Sequence, residues 1–176
     1  MTQSVELLLD PVADDFVRRK WHALHTAGLP SEVRSTPSPS HRPHVTLYAG
    51  PKIASDTDQQ LSRRVSGLAL GVQLGALMLF GPARQGYVLV HAVVATLDLL
   101  ELQRVVTRIC AAEDSSHFAA GRWTPHVTLA RRMTAEQLPA ALTVLSALGP
   151  GRGAGQPVQL GRCRRWDGTA KRDWFL

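Results

Sequence analysis

Pro-His-Val-Thr-Leu is written twice in this chain, at 43–47 and at 125–129, so that His44 and His126 stand 82 residues apart, each followed two places later by a threonine. Both copies are rich in β-branched residues, which favours a strand. Alternate residues of a strand share a face, so His44 and Thr46 are expected to project together, as are His126 and Thr128, while Val45, Leu47, Val127 and Leu129 turn into the core. Each strand then offers an imidazole beside a hydroxyl. Imidazole titrates near neutral pH, so one copy can serve as a base while the other stays protonated as an acid. Hydrolysis of a phosphodiester by direct attack uses that pair. One group takes a proton from the attacking water, and the other gives a proton to the departing oxygen. The threonine hydroxyls can hydrogen-bond the non-bridging phosphate oxygens, where charge must be held through the transition state. This chemistry asks for no metal and no cofactor, and the two near-identical motifs leave open which histidine is acid and which is base.

Other site chemistries fit less well. A lone His-x-Thr is ordinarily a satisfied core histidine next to a β-forming threonine, but two identical copies at equivalent points of a duplicated pattern argue for a paired role. His41 and His44 suggest zinc, yet no carboxylate or cysteine falls at ligand spacing near either motif. No G-x-S-x-G elbow supports a nucleophilic serine. The Gly-rich stretch GPGRGAGQ at 149–156 lacks the Gly-Lys-Ser/Thr ending of a phosphate-binding loop and reads as a linker.

The elements that must position the motifs alternate along the chain. SVELLLD at 4–10 reads as a strand. Asp10 as N-cap, Pro11 at the first helical position, apolar residues at Val17, Trp21 and Leu24 and a stop at Gly28 define a helix. LPSEVRSTPSPSHRP at 29–43 is too rich in Pro and Ser for regular structure and predicts a mobile loop. HVTLYA follows as a strand, 56–66 as a short helix, and VQLGALMLF (72–80) and YVLVHAVVA (87–95) as two strands joined through Gly81, Pro82 and Gly86. Asp98 is expected to open a helix with Leu99, Leu102, Val106 and Ile109 on one face. EDSSHFAAGRWTP leads as a loop into the second motif strand, and Thr134 and Gln137 stand at capping-box spacing for a last helix to about 147. A hairpin around Asp167-Gly168 closes the chain. The order predicts an α/β (α+β) fold over 1–176, a single domain of two pseudo-symmetric lobes with antiparallel-rich sheet and outer helices. The two motifs then face each other across a central cleft.

Composition narrows the class. Lys plus Arg is 20 against 14 Asp plus Glu, a net charge of +6, which suits a polyanionic ligand such as RNA or a nucleotide. The two cysteines, Cys110 and Cys163, form no Cys-x-x-Cys, which with the absence of a signal-peptide pattern points to a reducing cytoplasm. The apolar run at 68–81 is shorter than a membrane span, so no membrane partner is expected, and the chain reads as a monomer.

Paired His-x-Thr-Leu motifs in a bilobal chain of this length resemble the 2H phosphoesterase superfamily, specifically its LigT-like branch of 2′-5′ RNA ligases and RNA 2′,3′-cyclic phosphodiesterases. The second motif with its flanks, RWTPHVTLARR, is the closer match. The first departs where the family often continues Phe-Leu-Gly and this chain has Tyr48-Ala49-Gly50. The resemblance implies hydrolysis of cyclic phosphates of RNA ends or small nucleotides to 2′-phosphomonoesters, with 2′-5′ linkage chemistry in some members and no metal or nucleotide cofactor. It also implies that Arg131, five residues after His126, helps hold phosphate; Arg132 would take that place if strand alternation continued. Tyr48, by alternation on the histidine face, and Phe118 and Trp123, in the loop entering the second motif, are candidate base-stacking groups. Trp123 is equally suited to anchoring its loop. His91 is mid-strand, His22, His25 and His117 read as surface residues, and the Arg cluster at 162–165 reads either as an RNA path or as a solvated hairpin face. A non-catalytic RNA-binding module is the rival from another class.

Overall fold

Asp10 closes the first strand and starts the first helix in one step, its carboxylate accepting from the Val12 and Ala13 N–H groups. The computed structural model describes residues 2–36, 38–111, 116–119, 121–148 and 155–176. In chain order the elements are β1 (Gln3–Leu9), α1 (Pro11–Thr26), β2 (His44–Gly50), α2 (Thr57–Val65), β3 (Leu70–Ala83), β4 (Gly86–Val93), α3 (Leu97–Ile109), β5 (His126–Met133), a 3₁₀ turn (Ala135–Gln137), α4 (Leu138–Ala147), β6 (Gln156–Asp167) and β7 (Arg172–Phe175). Most of the expected linker, residues 149–154, lies outside the described residues, as do 113–115 and 120 of the loop before the second motif.

Two local expectations need correction. Gly81 and Pro82 are not the hairpin connection; β3 runs through them, and the turn falls between Ala83 and Gly86. Gly86 has φ +95°, and a Cβ there would meet the Met133 carbonyl oxygen at 2.6 Å, so the turn depends on glycine. The third helix is capped by Thr96, whose hydroxyl accepts from Leu99 N–H at 3.3 Å, while Asp98 sits in the first turn, where its charge complements the helix dipole.

The strands form one seven-stranded sheet in the order β2-β1-β6-β3-β4-β5, with β7 added alongside β6, and the pairings are antiparallel. Exchanging β1 with β4, β2 with β5 and β3 with β6 turns this order into its own reverse. The repeat seen in sequence is thus a topological pseudo-twofold, in which each half lends its third strand to the other: β6 pairs with β1, and β3 with β4. The motif strands β2 and β5 are the two outer strands of the path, and they approach each other.

Register decides what lines each face. His44, Leu8 and Arg162 form one row across β2, β1 and β6, and Thr46, Glu6 and Arg164 form the next on the same face. In the other half, His126 lies opposite Ala92, and Thr128 opposite Val90. The reverse face carries Val5, Leu7, Val45, Leu47, Val127 and Leu129, all fully buried in one core with Val17 and Leu24 of α1 and Leu99 and Val106 of α3. The two cysteines are buried free thiols, and burial pushes them up, to about 11 for Cys110 and about 12 for Cys163.

Two tryptophans lock the halves together. Trp21 of α1 donates its indole N–H to the Thr128 carbonyl at 2.9 Å, and Trp123 donates to the Thr46 carbonyl at 3.0 Å. Each bond satisfies a carbonyl on the motif strand of the opposite half. Trp21→Phe keeps most of the apolar volume and strands the Thr128 carbonyl. It is expected to cost about 1–3 kcal/mol of unfolding free energy, measured by urea titration. A loss below a few tenths of a kcal/mol would show that the bond contributes nothing net.

Candidate active site

The two histidines are held in the same way. His44 Nδ1 donates to the Arg42 carbonyl at 2.7 Å, and His126 Nδ1 donates to the Thr124 carbonyl at 2.8 Å. A carbonyl can only accept, so Nδ1 carries the hydrogen in each ring. In the neutral ring Nε2 is therefore a bare lone pair, ready to take a proton or, once charged, to give one. The carbonyl in each case belongs to the residue two places before the histidine, so the five-residue motif and its entry loop carry the whole device.

The surroundings of the two rings differ. His126 packs edge-on against Phe80 of β3, ring centroids 4.8 Å apart. Burial pushes its pKa below the usual imidazole value; the Thr124 hydrogen bond opposes this, and the charges of Arg131 and His44 add to the lowering. His44 Nε2 lies 3.7 Å from a carboxylate oxygen of Glu6, which is only 7% exposed. Burial on its own would raise the Glu6 carboxyl. The charges of His44 and Arg164 and hydrogen bonds from Ser4 and Arg164 outweigh that and hold it below the ordinary carboxylate range. Arg164, buried, meets Glu6 at 2.8 Å and Asp173 at 2.9 Å, and donates to the Ser40 carbonyl at 2.6 Å.

A bulge repeated in both motif strands decides the neighbours of the threonines. Opposite β1, Thr46 pairs with Glu6 and Tyr48 with Val5, so Leu47 is skipped; opposite β4, Thr128 pairs with Val90 and Ala130 with Leu89, so Leu129 is skipped. Alternation therefore shifts by one after each threonine. This corrects the expectation for Tyr48: it turns to the core, 7% exposed, and packs edge-on against Phe118 at 6.0 Å. The same shift brings Arg131 back to the histidine face, where its Nη2 donates to Thr128 Oγ1 at 3.3 Å. Arg132, which strict alternation favoured, has φ +61° and donates instead to Gln85 at 3.1 Å. Ala49 occupies the position equivalent to Arg131 in the first motif, so the two copies have diverged there.

Of the loop aromatics, Phe118 is half-buried against the core and Trp123 anchors its loop through Thr46, so neither stands free as a stacking platform. His91 points to the core face opposite Val127, 2% exposed, its Nδ1 3.1 Å from the Gly75 carbonyl, and burial pushes it down to about 4. The entry loop expected to be mobile is pinned at two of its described residues: Ser31 donates to the Trp21 carbonyl at 2.6 Å, and His41 stacks on Trp21 at 5.1 Å. That pinning delivers Glu32, which accepts from Arg131 Nε at 3.0 Å. Glu6, Glu32 and Phe80 were not visible in sequence, because each reaches the site through long-range pairing or loop packing and none belongs to a spaced motif; of the Arg cluster at 162–165, read as an RNA path or a solvated face, Arg164 and Arg165 are instead buried in ion pairs with Glu6, Asp173 and Asp58. Among the described residues no group of three or more His, Cys, Asp or Glu could hold a metal ion, and no helix is long and apolar enough to cross a membrane.

This duplicated sheet with two outward imidazoles has relatives. The family model described as the 2′-5′ RNA ligase superfamily matches residues 13–162, most of the chain. The chain belongs to that superfamily, the 2H phosphoesterases. Among solved structures, the protein TT0787 of Thermus thermophilus is 15% identical, with TM-score 0.59 over 100% of this chain and 95% of its own. LigT of E. coli in apo form is 13% identical, with TM-score 0.55 over 99% of this chain and 94% of its own. LigT has also been solved with 3′-AMP, at 14% identity and TM-score 0.52 over 99% of this chain and 92% of its own. At such identities the likeness is one of fold, LigT-like across nearly the full length. No curated protein matches the chain in sequence.

Proposed function

We propose that this superfamily member is a two-histidine phosphodiesterase that opens 2′,3′-cyclic phosphates, at RNA ends or on nucleotides, to 2′-phosphomonoesters. The observation that carries the reading is the matched pair of Nδ1–carbonyl bonds, which leave both Nε2 atoms free for proton transfer on the two facing motif strands. His126, pushed toward its neutral form by burial, takes the proton of the attacking water. The water oxygen bonds phosphorus, the bond from phosphorus to O3′ breaks, and His44, beside the Glu6 carboxylate, gives its proton to O3′. Thr46, Thr128 and Arg131 hold the non-bridging oxygens. The family description favours a second use of the same site: a 5′-hydroxyl in place of water would make a 2′-5′ linkage by the same bond changes.

The test is turnover of 2′,3′-cyclic nucleotides and of a cyclic-phosphate-ended oligonucleotide in EDTA, with the phosphomonoester identified by phosphorus NMR. A 2′-phosphate product is expected. Turnover that disappears on chelation, or a 3′-phosphate product, would overturn the assignment.

A further inference from the structure

On the His44 side of the sheet lies a cavity of about 680 Å³, walled by Leu8, Leu9, Pro11 and Pro39 and bordered by Arg42 and Arg162. Leu8 stands between His44 and Arg162 in one row of the sheet, so the cavity floor continues the face that carries the reacting imidazole. Two strand spacings separate the backbones of His44 and Arg162, about 10 Å. That is the scale of one nucleotide unit.

The charges around it are unevenly spent. Asp10 and Asp14 also border the cavity, but Asp10 accepts from the Val12, Ala13 and Gln159 N–H groups and Asp14 is ion-paired with Arg18. Among the described residues Arg42 and Arg162 have no carboxylate partner. Arg42 Nε donates to the Pro39 carbonyl at 2.7 Å. The Arg162 guanidinium lies over the Phe175 ring at 3.8 Å, which holds it in place without neutralising it. Two uncompensated guanidinium groups at the rim of an apolar hollow suit a ligand that is anionic at one end and flat and apolar at the other.

We propose that this cavity is a second nucleotide subsite. It takes the nucleotide preceding the reacting end, with its phosphate on Arg162 and Arg42 and its base against the leucine and proline walls. The substrate is then an oligonucleotide end and not a free cyclic mononucleotide. The substrate assignment rests on the phosphodiesterase reading above; the binding itself does not.

The experiment compares a trinucleotide and the matching mononucleotide, both ending in a 2′-phosphate, by calorimetry on the wild type, Arg162→Ala and Arg162→Lys. Turnover of the cyclic-phosphate forms is followed in parallel. Arg162 is exposed, so thermal unfolding of the variants should match the wild type. The wild type is expected to bind the trinucleotide at least about tenfold more tightly than the mononucleotide. Arg162→Ala is expected to reduce that ratio about tenfold, or about 1.4 kcal/mol. It should also lower the slope of log affinity against log salt by about 0.7, the loss of one phosphate contact on a single strand, while Arg162→Lys keeps the slope. Equal wild-type affinities, or a ratio unmoved by Arg162→Ala, would overturn the subsite. An intact binding ratio without turnover of either cyclic form would leave the subsite standing and remove the phosphodiesterase reading instead.

Discussion

His126→Ala is expected to lower turnover of a 2′,3′-cyclic phosphate by about 10²–10⁴-fold, and His44→Ala by a similar factor, the range for loss of a positioned general acid or base. The double variant should be little slower than either single one, because acid and base act in one transition state. The pH profile of kcat/KM carries the sharper information. His126 works deprotonated, so the rate rises as pH climbs through its pKa. Burial lowers that pKa, so the rising limb should lie below the ordinary imidazole value of about 6.5. Phe80→Ala would open the ring to water and move the limb up toward that value. A rising limb that survives in His126→Ala would remove the histidine from the base role. Activity unaffected by either histidine substitution would end the two-histidine mechanism.

Arg164→Ala is expected to destabilise the fold by about 3–5 kcal/mol, because it leaves the carboxylate of Glu6 buried without its guanidinium partner. The lost guanidinium also served Asp173 and the Ser40 carbonyl, so the variant unties the entry loop from the sheet. Glu6→Gln should cost less, since Asp173 and Ser40 still hold Arg164. In that variant a fall in turnover without a matching fall in stability would separate the charge beside His44 from the structural role. The sign of the pH effect follows from Glu6. Its carboxyl is held below its unfolded value of 4.5, so the wild type has this contribution in full above that pH and loses it as pH falls through the lower, folded value. Urea titrations of wild type and Glu6→Gln between pH 7 and pH 3 check this. If both lose stability in parallel over the acid range, Glu6 is not a source of it.

The residues that announced themselves in sequence were those governed by local rules. Asp10 and Pro11 wrote a helix start, and the Thr134 and Gln137 capping box forms around the 3₁₀ turn. The duplicated motif gave two strands with His and Thr on one face. Tyr48 and Arg131 were decided by a skipped residue in the ladder, and no residue type marks that bulge, so alternation misassigned the first and favoured Arg132 over the second, to which only the resemblance pointed. Gly81 and Pro82 look like a turn because both disfavour strand interiors, yet pairing with β4 carries β3 across them. Glu6 is a polar residue in the mostly apolar strand SVELLLD. Its meaning came from Arg164, 158 residues away in the chain. The exchange of third strands between halves was also illegible, because a strand pattern does not say which neighbour it will choose.

The outermost position of β2 and β5 has a consequence for how the protein behaves in a crowded solution. An outer strand with free carbonyls invites a strand from another molecule to add on, the usual route to edge-to-edge aggregation. Here Trp123 takes the Thr46 carbonyl, Gln103 reaches the Leu47 carbonyl at 3.4 Å, and Trp21 takes the Thr128 carbonyl. The side chains of these strands remain open to a ligand while these parts of their backbones are withdrawn from any incoming strand. Indole and amide N–H groups thus protect against self-association without adding a covering strand that would bury the histidines.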